Sequence, residues 1–256
     1  MQEVLINIAV ALTAYLIGSL PFALWITRWR TGQDIRLVGS GHVGATNAMR
    51  AAGWQTGAVV ALLDFAKGYA ALWLALRWGS WEGMQAIASA AVVIGHGWPV
   101  FAGFRGGMGV APAAGALAAL WPAGLGLALA LGVAMQLLWR HTARGNVVTG
   151  LLVGPLWTAA SAPAWTAGAA AAAGAVVCLR SLSDWNRVYR ELWLDRGGTS
   201  GREGGSRSLR GGRGEGGSGS GGNSGGSTGG RGARRGGGDR RGGARKQRGS
   251  GRRRRQ

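Results

Sequence analysis

Two short polar stretches interrupt a chain that is otherwise mostly alanine, leucine, valine and tryptophan. The first, GSGHVGATNAMR at residues 39–50, gathers glycines, hydroxyls, an amide and basic side chains. Glycine lets backbone N–H groups approach an anion, because no Cβ intervenes and positive φ is allowed. Gly39, Ser40, Gly41, Thr46 and Asn47 therefore supply neutral donors, and Arg50 can fork onto two phosphate oxygens. The set suits a phosphate monoester held at a membrane surface, against the plain alternative of a turn. The second stretch, GHGWPVFAGFRGGMGVAP at residues 95–112, puts His96 near the end of an apolar run and Arg105 beside Gly106, Gly107 and Gly109. An ionisable group there is costly and usually has a partner. Two glycine-rich basic loops can cradle two phosphates, or one phosphate and an acyl carbonyl; the bland alternative is an interfacial histidine beside a flexible turn. A third feature, DFAKG, sets Asp64 and Lys67 three residues apart inside an apolar run, on one helix face where they can pair. An unpaired charge at mid-bilayer costs roughly 3 kcal/mol and pairing lowers that, so the two either lock helices together or touch a ligand.

Such groups need elements to hold them. About 20 residues at 1.5 Å each cross a hydrocarbon core of about 30 Å, and apolar runs of that kind recur at 4–26, 56–76, 83–101, about 110–139 and about 147–179. Trp121–Pro122 and Ser161–Pro163 are expected to break the last two runs into pairs of about 13 to 17 residues each, giving seven crossings, or fewer with re-entrant pieces. The expected fold is an all-α integral membrane protein of about seven transmembrane helices with glycine-rich loops. Met1 to Ala11 lacks a basic residue and carries Glu3, which argues against a signal peptide and for a retained first span. Basic residues near span ends mark the cytoplasmic side. Arg28 to Arg50, Arg105, Arg140, Arg144 and Arg180 all fall on one face if the N-terminus is outside and the C-terminus is inside. The polar stretches then share the cytoplasmic face of a multi-pass cell-membrane protein. Cys178, the only cysteine, excludes an intrachain disulfide and reads as a small hydrophobe.

From Arg196 the composition changes to Gly, Arg and Ser, and about seventeen of the 29 Lys and Arg lie there, so the net charge of +19 is largely a property of residues 196–256. With almost no large apolar side chains, that segment cannot offset roughly 1–2 kcal/mol per residue of backbone entropy, and it is expected to be a disordered tail beside a membrane domain at 1–195. Its cations suit anionic lipid at about 1 kcal/mol each near a surface, or RNA, although it lacks aromatic platforms for stacking. A solvated low-complexity extension is the plain alternative.

In order and spacing, GSLPFALWI, DIRLVGSGHVGATNAMR, DFAKG and GHGWPVFAGFRGGMGVA resemble the bacterial acyl-phosphate:glycerol-3-phosphate acyltransferases over roughly residues 15 to 190. The resemblance implies seven crossings, a cytoplasmic active site, and transfer of an acyl group from fatty acyl-phosphate to the 1-hydroxyl of sn-glycerol 3-phosphate. It implies no metal and no cofactor. It assigns Ser40, His96 and Arg105 to catalysis, and Gly39, Gly41, Thr46, Asn47, Arg50, Gly106, Gly107 and Gly109 to substrate phosphate. His42, Asp64, Lys67 and Arg187 are expected in support.

The chain departs from that family's pattern at several positions. His42 stands where the first motif usually has Asn, and Met108 where the second has Lys. In the third motif, RSLSDWNRVYREL, Ser181 and Asp184 occupy the His and Asn positions and Arg187 is retained, while RHTARGNVV replaces a serine-rich loop. Loss of one charged donor costs about 3 kcal/mol, or about a hundredfold in rate. The departures leave a second reading: a catalytically weakened membrane protein that binds phosphorylated lipids or tethers RNA through its tail.

Overall fold

The computed structural model describes residues 1–81 and 83–187; the basic segment 196–256 and the boundary at 195/196 lie outside them. Among the described residues there are helices and no strands. α1 (Gln2–Gly18) and α2 (Phe22–Thr31) are followed by α3 (Ala45–Ala52), α4 (Trp54–Trp78) and α5 (Gly83–Gly97). After the second polar loop come α6 (Val110–Leu120), α7 (Pro122–Trp139), α8 (Thr142–Ala159) and α9 (Ala164–Leu182).

Among the described residues, five segments are long and apolar enough to cross a bilayer: Gln2–Thr31, Trp54–Trp78, Gly83–Ala102, Pro122–Trp139 and Ala164–Leu182. α6, at 11 residues, spans about 17 Å and is too short to cross a full core on its own. α8 has 18 residues but carries Arg144 and Asn146 near its start. The breaks expected at Trp121–Pro122 and Ser161–Pro163 are where the helices end. Pro122 opens α7, where its missing N–H costs nothing.

Three local expectations need correction. The single span at 4–26 is interrupted at Ser19–Pro21, because Pro21 donates no backbone hydrogen bond and its ring disfavours helix at the preceding residue. Residues 45–52, read as loop, form α3. The polar run after Arg140 is also helical from Thr142, because the His141 side chain accepts the Arg144 N–H and caps the new helix.

Close packing depends on absent side chains. A Cβ on Gly18 would strike the Val92 carbonyl, and one on Gly95 the Tyr15 carbonyl, so α1 and α5 approach backbone to backbone. Gly68 against Pro112 and Gly115 against Phe65 do the same for α4 and α6, as Gly150 and Gly174 do for α8 and α9. Lipid supplies no hydrophobic drive between helices, so such backbone proximity is how spans gain contact. Trp157 fills the gap between α7 and α8, donating Nε1–H to the Gly124 carbonyl at 3.0 Å and meeting Trp121 edge-on at 5.3 Å.

One polar cluster pins the break in the first span. Lys67 donates from Nζ to the Leu20 carbonyl at 3.0 Å, a group the interrupted helix leaves without a backbone partner, and sits 2.8 Å from Asp64 Oδ1. Asp64 Oδ1 also lies 3.6 Å from His96 Nδ1 on α5. Both side chains of the ion pair are 3% exposed. Asp64 and Lys67 thus act as a lock between α4, α5 and the α1–α2 break. Lys67→Met should leave the Asp64 charge buried and cost about 3–5 kcal/mol, whereas Lys67→Met with Asp64→Leu should recover most of that loss. Unfolding in detergent measures both, and a single variant as stable as the parent would refute the lock.

Candidate functional site

The first polar stretch is folded by its own side chains. Asp34 accepts the Arg36 backbone N–H and is gripped by the Arg36 guanidinium at 2.6 Å, which lowers its carboxyl pKa to about 2. Gly39 and Gly41 then turn the chain at φ +55° and +70°. A Cβ on Gly39 would collide with Asn47 Oδ1. Asn47, at the start of α3, reaches back into this turn. Its Nδ2 donates to the carbonyls of Ile35, Val38 and His42 at 2.9–3.1 Å, while its Oδ1 accepts the Ser40 N–H at 3.2 Å. Asn47 is 2% exposed. Its amide is committed to shaping the loop, and Gly39 and Gly41 serve the turn.

The second stretch docks on the first. Val43 donates its N–H to the Gly106 carbonyl at 3.3 Å, and Gly107 donates to the His96 carbonyl at 3.2 Å. A Cβ on Gly106 would meet the carbonyls of His96 and Gly97, and one on Gly107 the His96 ring. These two glycines therefore let the loops close over His96. Gly109, at φ +83°, leads into the N-terminus of α6.

Between the loops lies a cavity of about 680 Å³. Of the expected residues, Ser40, His42, Thr46, Asn47, Arg50, Asp64, His96, Gly107 and Gly109 line it. Gly39, Gly41, Lys67, Arg105 and Gly106 are outside the lining. Arg105 is exposed and reaches outward to the Arg36 carbonyl at 3.4 Å, so its guanidinium braces the loop away from the cavity. His96 lines the cavity while packed against Asp64 and the Gly106–Gly107 backbone, which leaves it largely buried.

The cavity has two electropositive features. Arg50 borders it with one terminal nitrogen, Nη2, buried and without a hydrogen-bond partner. The N-terminal turns of α3, at Gly44–Thr46, and of α6, at Gly109–Ala111, also face it. Helix N-termini present unpaired N–H groups and a partial positive charge, which favours anions. Among the described residues no group of His, Cys, Asp and Glu is placed to hold a metal ion.

Sequence reasoning missed the far wall. Gln136 donates to Asn146 Oδ1 at 2.8 Å and to the Thr142 carbonyl at 3.3 Å, and Asn146 donates to Met108 Sδ at 3.2 Å. Gln136 and Asn146 were legible only as amides within or beside apolar runs, a signal that marks interior-facing positions. Past them the cavity adjoins an apolar groove of about 480 Å³ between α6, α7, α8 and α9, floored by Leu125, Val133, Gly150 and Val153.

The segment after α9 docks on the first polar loop. Arg187 donates from Nη2 to the Ser40 carbonyl at 2.6 Å, and Asp184 Oδ2 lies 2.6 Å from His42 Nε2. The His42 Nδ1 is 3.1 Å from the Ser40 carbonyl. Burial pulls the His42 pKa below its ordinary value, opposed by Asp184 and the Ser40 carbonyl. Arg144 donates Nε–H to the Trp185 carbonyl at 3.4 Å and stacks over its ring at 5.5 Å, while His141 donates to the Arg187 carbonyl at 3.0 Å.

Comparison with known proteins identifies the family. Residues 8–191 match the family described as glycerol-3-phosphate acyltransferase. A glycerol-3-phosphate acyltransferase of Myxococcus xanthus is 39% identical over 189 residues, covering 73% of this chain and 95% of that one. One from Thermus thermophilus is 40% identical over 154 residues, 60% of this chain and 77% of that one. The crystal structure of PlsY, an integral membrane glycerol 3-phosphate acyltransferase, in its glycerol 3-phosphate form superposes with a TM-score of 0.63 at 32% identity, covering 71% of this chain and 90% of that one. Its lysophosphatidic acid form gives 0.61 at 30% identity over the same shares. The membrane helices, the two docked glycine-rich loops and these matches together place the chain in the glycerol-3-phosphate acyltransferase family.

Proposed function

We propose that the protein transfers an acyl group from a fatty acyl-phosphate to the 1-hydroxyl of sn-glycerol 3-phosphate, yielding lysophosphatidic acid and inorganic phosphate. The observation that carries this reading is the Arg50 guanidinium, which borders the cavity with a buried, unpartnered nitrogen beside two helix N-termini. That set matches a dianionic phosphate: a fork of charged donors, with backbone dipoles that need no reorganisation on binding. The adjoining apolar groove suits an acyl chain, and Ser40 stands at the polar side.

An acyl-phosphate is already activated, so the protein mainly orients two anionic substrates and stabilises charge. The glycerol hydroxyl oxygen bonds to the acyl carbon as the bond from that carbon to the phosphate oxygen breaks. The hydroxyl proton and the bonding electron pair leave with phosphate. Positioning by Arg50, the helix N-termini and the groove does most of the work. Met108 supplies no cation, and its thioether is engaged by Asn146.

In this reading the N-terminus lies outside and the basic segment inside, where its arginines lie against anionic headgroups; the absence of Trp, Tyr and Phe from 196–256 disfavours stacking on RNA.

Vesicles holding the protein should convert palmitoyl-phosphate and labelled glycerol 3-phosphate to lysophosphatidic acid, and should make none from palmitoyl-CoA. Absence of product above empty vesicles, with folded protein, would end this reading. Arg50→Ala should raise the KM for glycerol 3-phosphate at least tenfold or abolish turnover, and an unchanged KM would remove Arg50 from the phosphate site. Met108→Lys should raise kcat by adding a charged donor to the cavity wall; a fall would show that the Met108–Asn146 contact matters more. Deleting residues 197–256 should abolish salt-sensitive binding to anionic vesicles, measured by co-sedimentation, while binding that persists would place the contact in the body.

A further inference from the structure

His42 and Asp184 are 142 residues apart and each is a departure from the pattern of the resembling family, yet they meet. Their ring nitrogen and carboxylate oxygen are 2.6 Å apart, with side chains only 10% and 8% exposed. They join the turn at 39–44 to the residues just after α9. We propose that this pair is a positioning clasp, which holds the segment after α9 against the Ser40 loop and so fixes the orientation of Ser40 at the cavity.

The hydrogen bonding around His42 supports that role and excludes two others. His42 Nδ1 faces the Ser40 carbonyl at 3.1 Å, and Nε2 faces Asp184, so both ring nitrogens are occupied by acceptors. Nε2 and Asp184 Oδ2 are in ion-pair contact at 2.6 Å. No ring nitrogen is left to take a proton from a substrate hydroxyl, which removes His42 as general base. The partner of Nδ1 is the backbone oxygen of Ser40, not its hydroxyl, which removes a Ser–His–Asp nucleophilic relay.

What the pair does is hold a carbonyl. The Ser40 oxygen receives His42 on one side and Arg187 Nη2 on the other, and Arg187 is itself 3.6 Å from Asp184 Oδ1. Asp184 therefore draws both donors of Ser40 into place. The Ser40 hydroxyl accepts the His42 backbone N–H at 3.4 Å, and its own proton remains available to the cavity. A buried histidine meeting a carboxylate at 2.6 Å ties together two segments far apart in the chain.

The inference rests on the acyltransferase reading, and two independent measurements separate their failures. In turnover by the full chain in vesicles, His42→Ala and Asp184→Ala should each lower kcat at least tenfold with little change in the KM for palmitoyl-phosphate. The double variant should be no worse than the poorer single. Asp184→Asn, which keeps an acceptor for Nε2–H, should retain at least a third of the parent kcat. In hydrogen exchange, Asp184→Ala should speed exchange of peptides covering 40–43, and His42→Ala that of peptides covering 183–187. Additive losses, an Asp184→Asn as poor as Asp184→Ala, or exchange changes confined to the mutated segment would each overturn the clasp. If the parent shows no turnover, the acyltransferase reading falls alone and exchange decides the clasp.

Discussion

A charge buried among apolar helices must find a partner, and in this protein that requirement organises the centre of the bundle. The chain keeps Lys67 and Asp64 where solvent is absent, then uses them to repair a defect of its own making, the carbonyl released where Pro21 interrupts the first span. Because Asp64 also faces His96, the repair ties the start of α2 to the end of α5. The first polar loop follows the end of α2 and the second the end of α5. The helices that carry both loops are thus tied together by a buried ion pair.

On that frame the loops fold by backbone chemistry. One amide, Asn47, satisfies four backbone groups of the preceding turn, and glycines allow the second loop to lie directly on the first. The result leaves side-chain charge scarce at the cavity itself. Arg50 and two helix termini supply most of the positive potential, so its strength depends on the orientation of α3 and α6. Those helices are held in turn by glycine contacts, Gly57 against Met49 and Gly68 against Pro112. Packing deep in the bundle and anion affinity at its surface are therefore one problem.

The apolar runs and the breaks at Trp121–Pro122 and Ser161–Pro163 were legible in the sequence, because length and the missing N–H of Pro122 act locally, whereas the break at Pro21 was not. The sequence also made legible that residues 39–50 and 95–112 belong together. It did not reveal which way each polar side chain turns. Asn47 and Arg50 lie three residues apart and both border the cavity, yet the Asn47 amide is committed to the turn while Arg50 keeps an unpartnered Nη2. Arg105 had every chemical qualification for the site, but its loop must hug His96, and that path sends the guanidinium outward. Asp184 read as a loss when compared position by position with relatives. Its contact with His42 appears only in the fold, which brings together residues 142 apart in the chain.

The apolar groove lies beside α7, whose spanning stretch is only 11% buried within the protein. A ligand tail in that groove is a short sideways step from the surrounding hydrocarbon. Its supply is then set by how many such molecules occupy each unit of bilayer area, while the small polar reactant is set by its molarity in water. Diluting the donor with inert lipid would slow the reaction even when the total amount in the tube is unchanged.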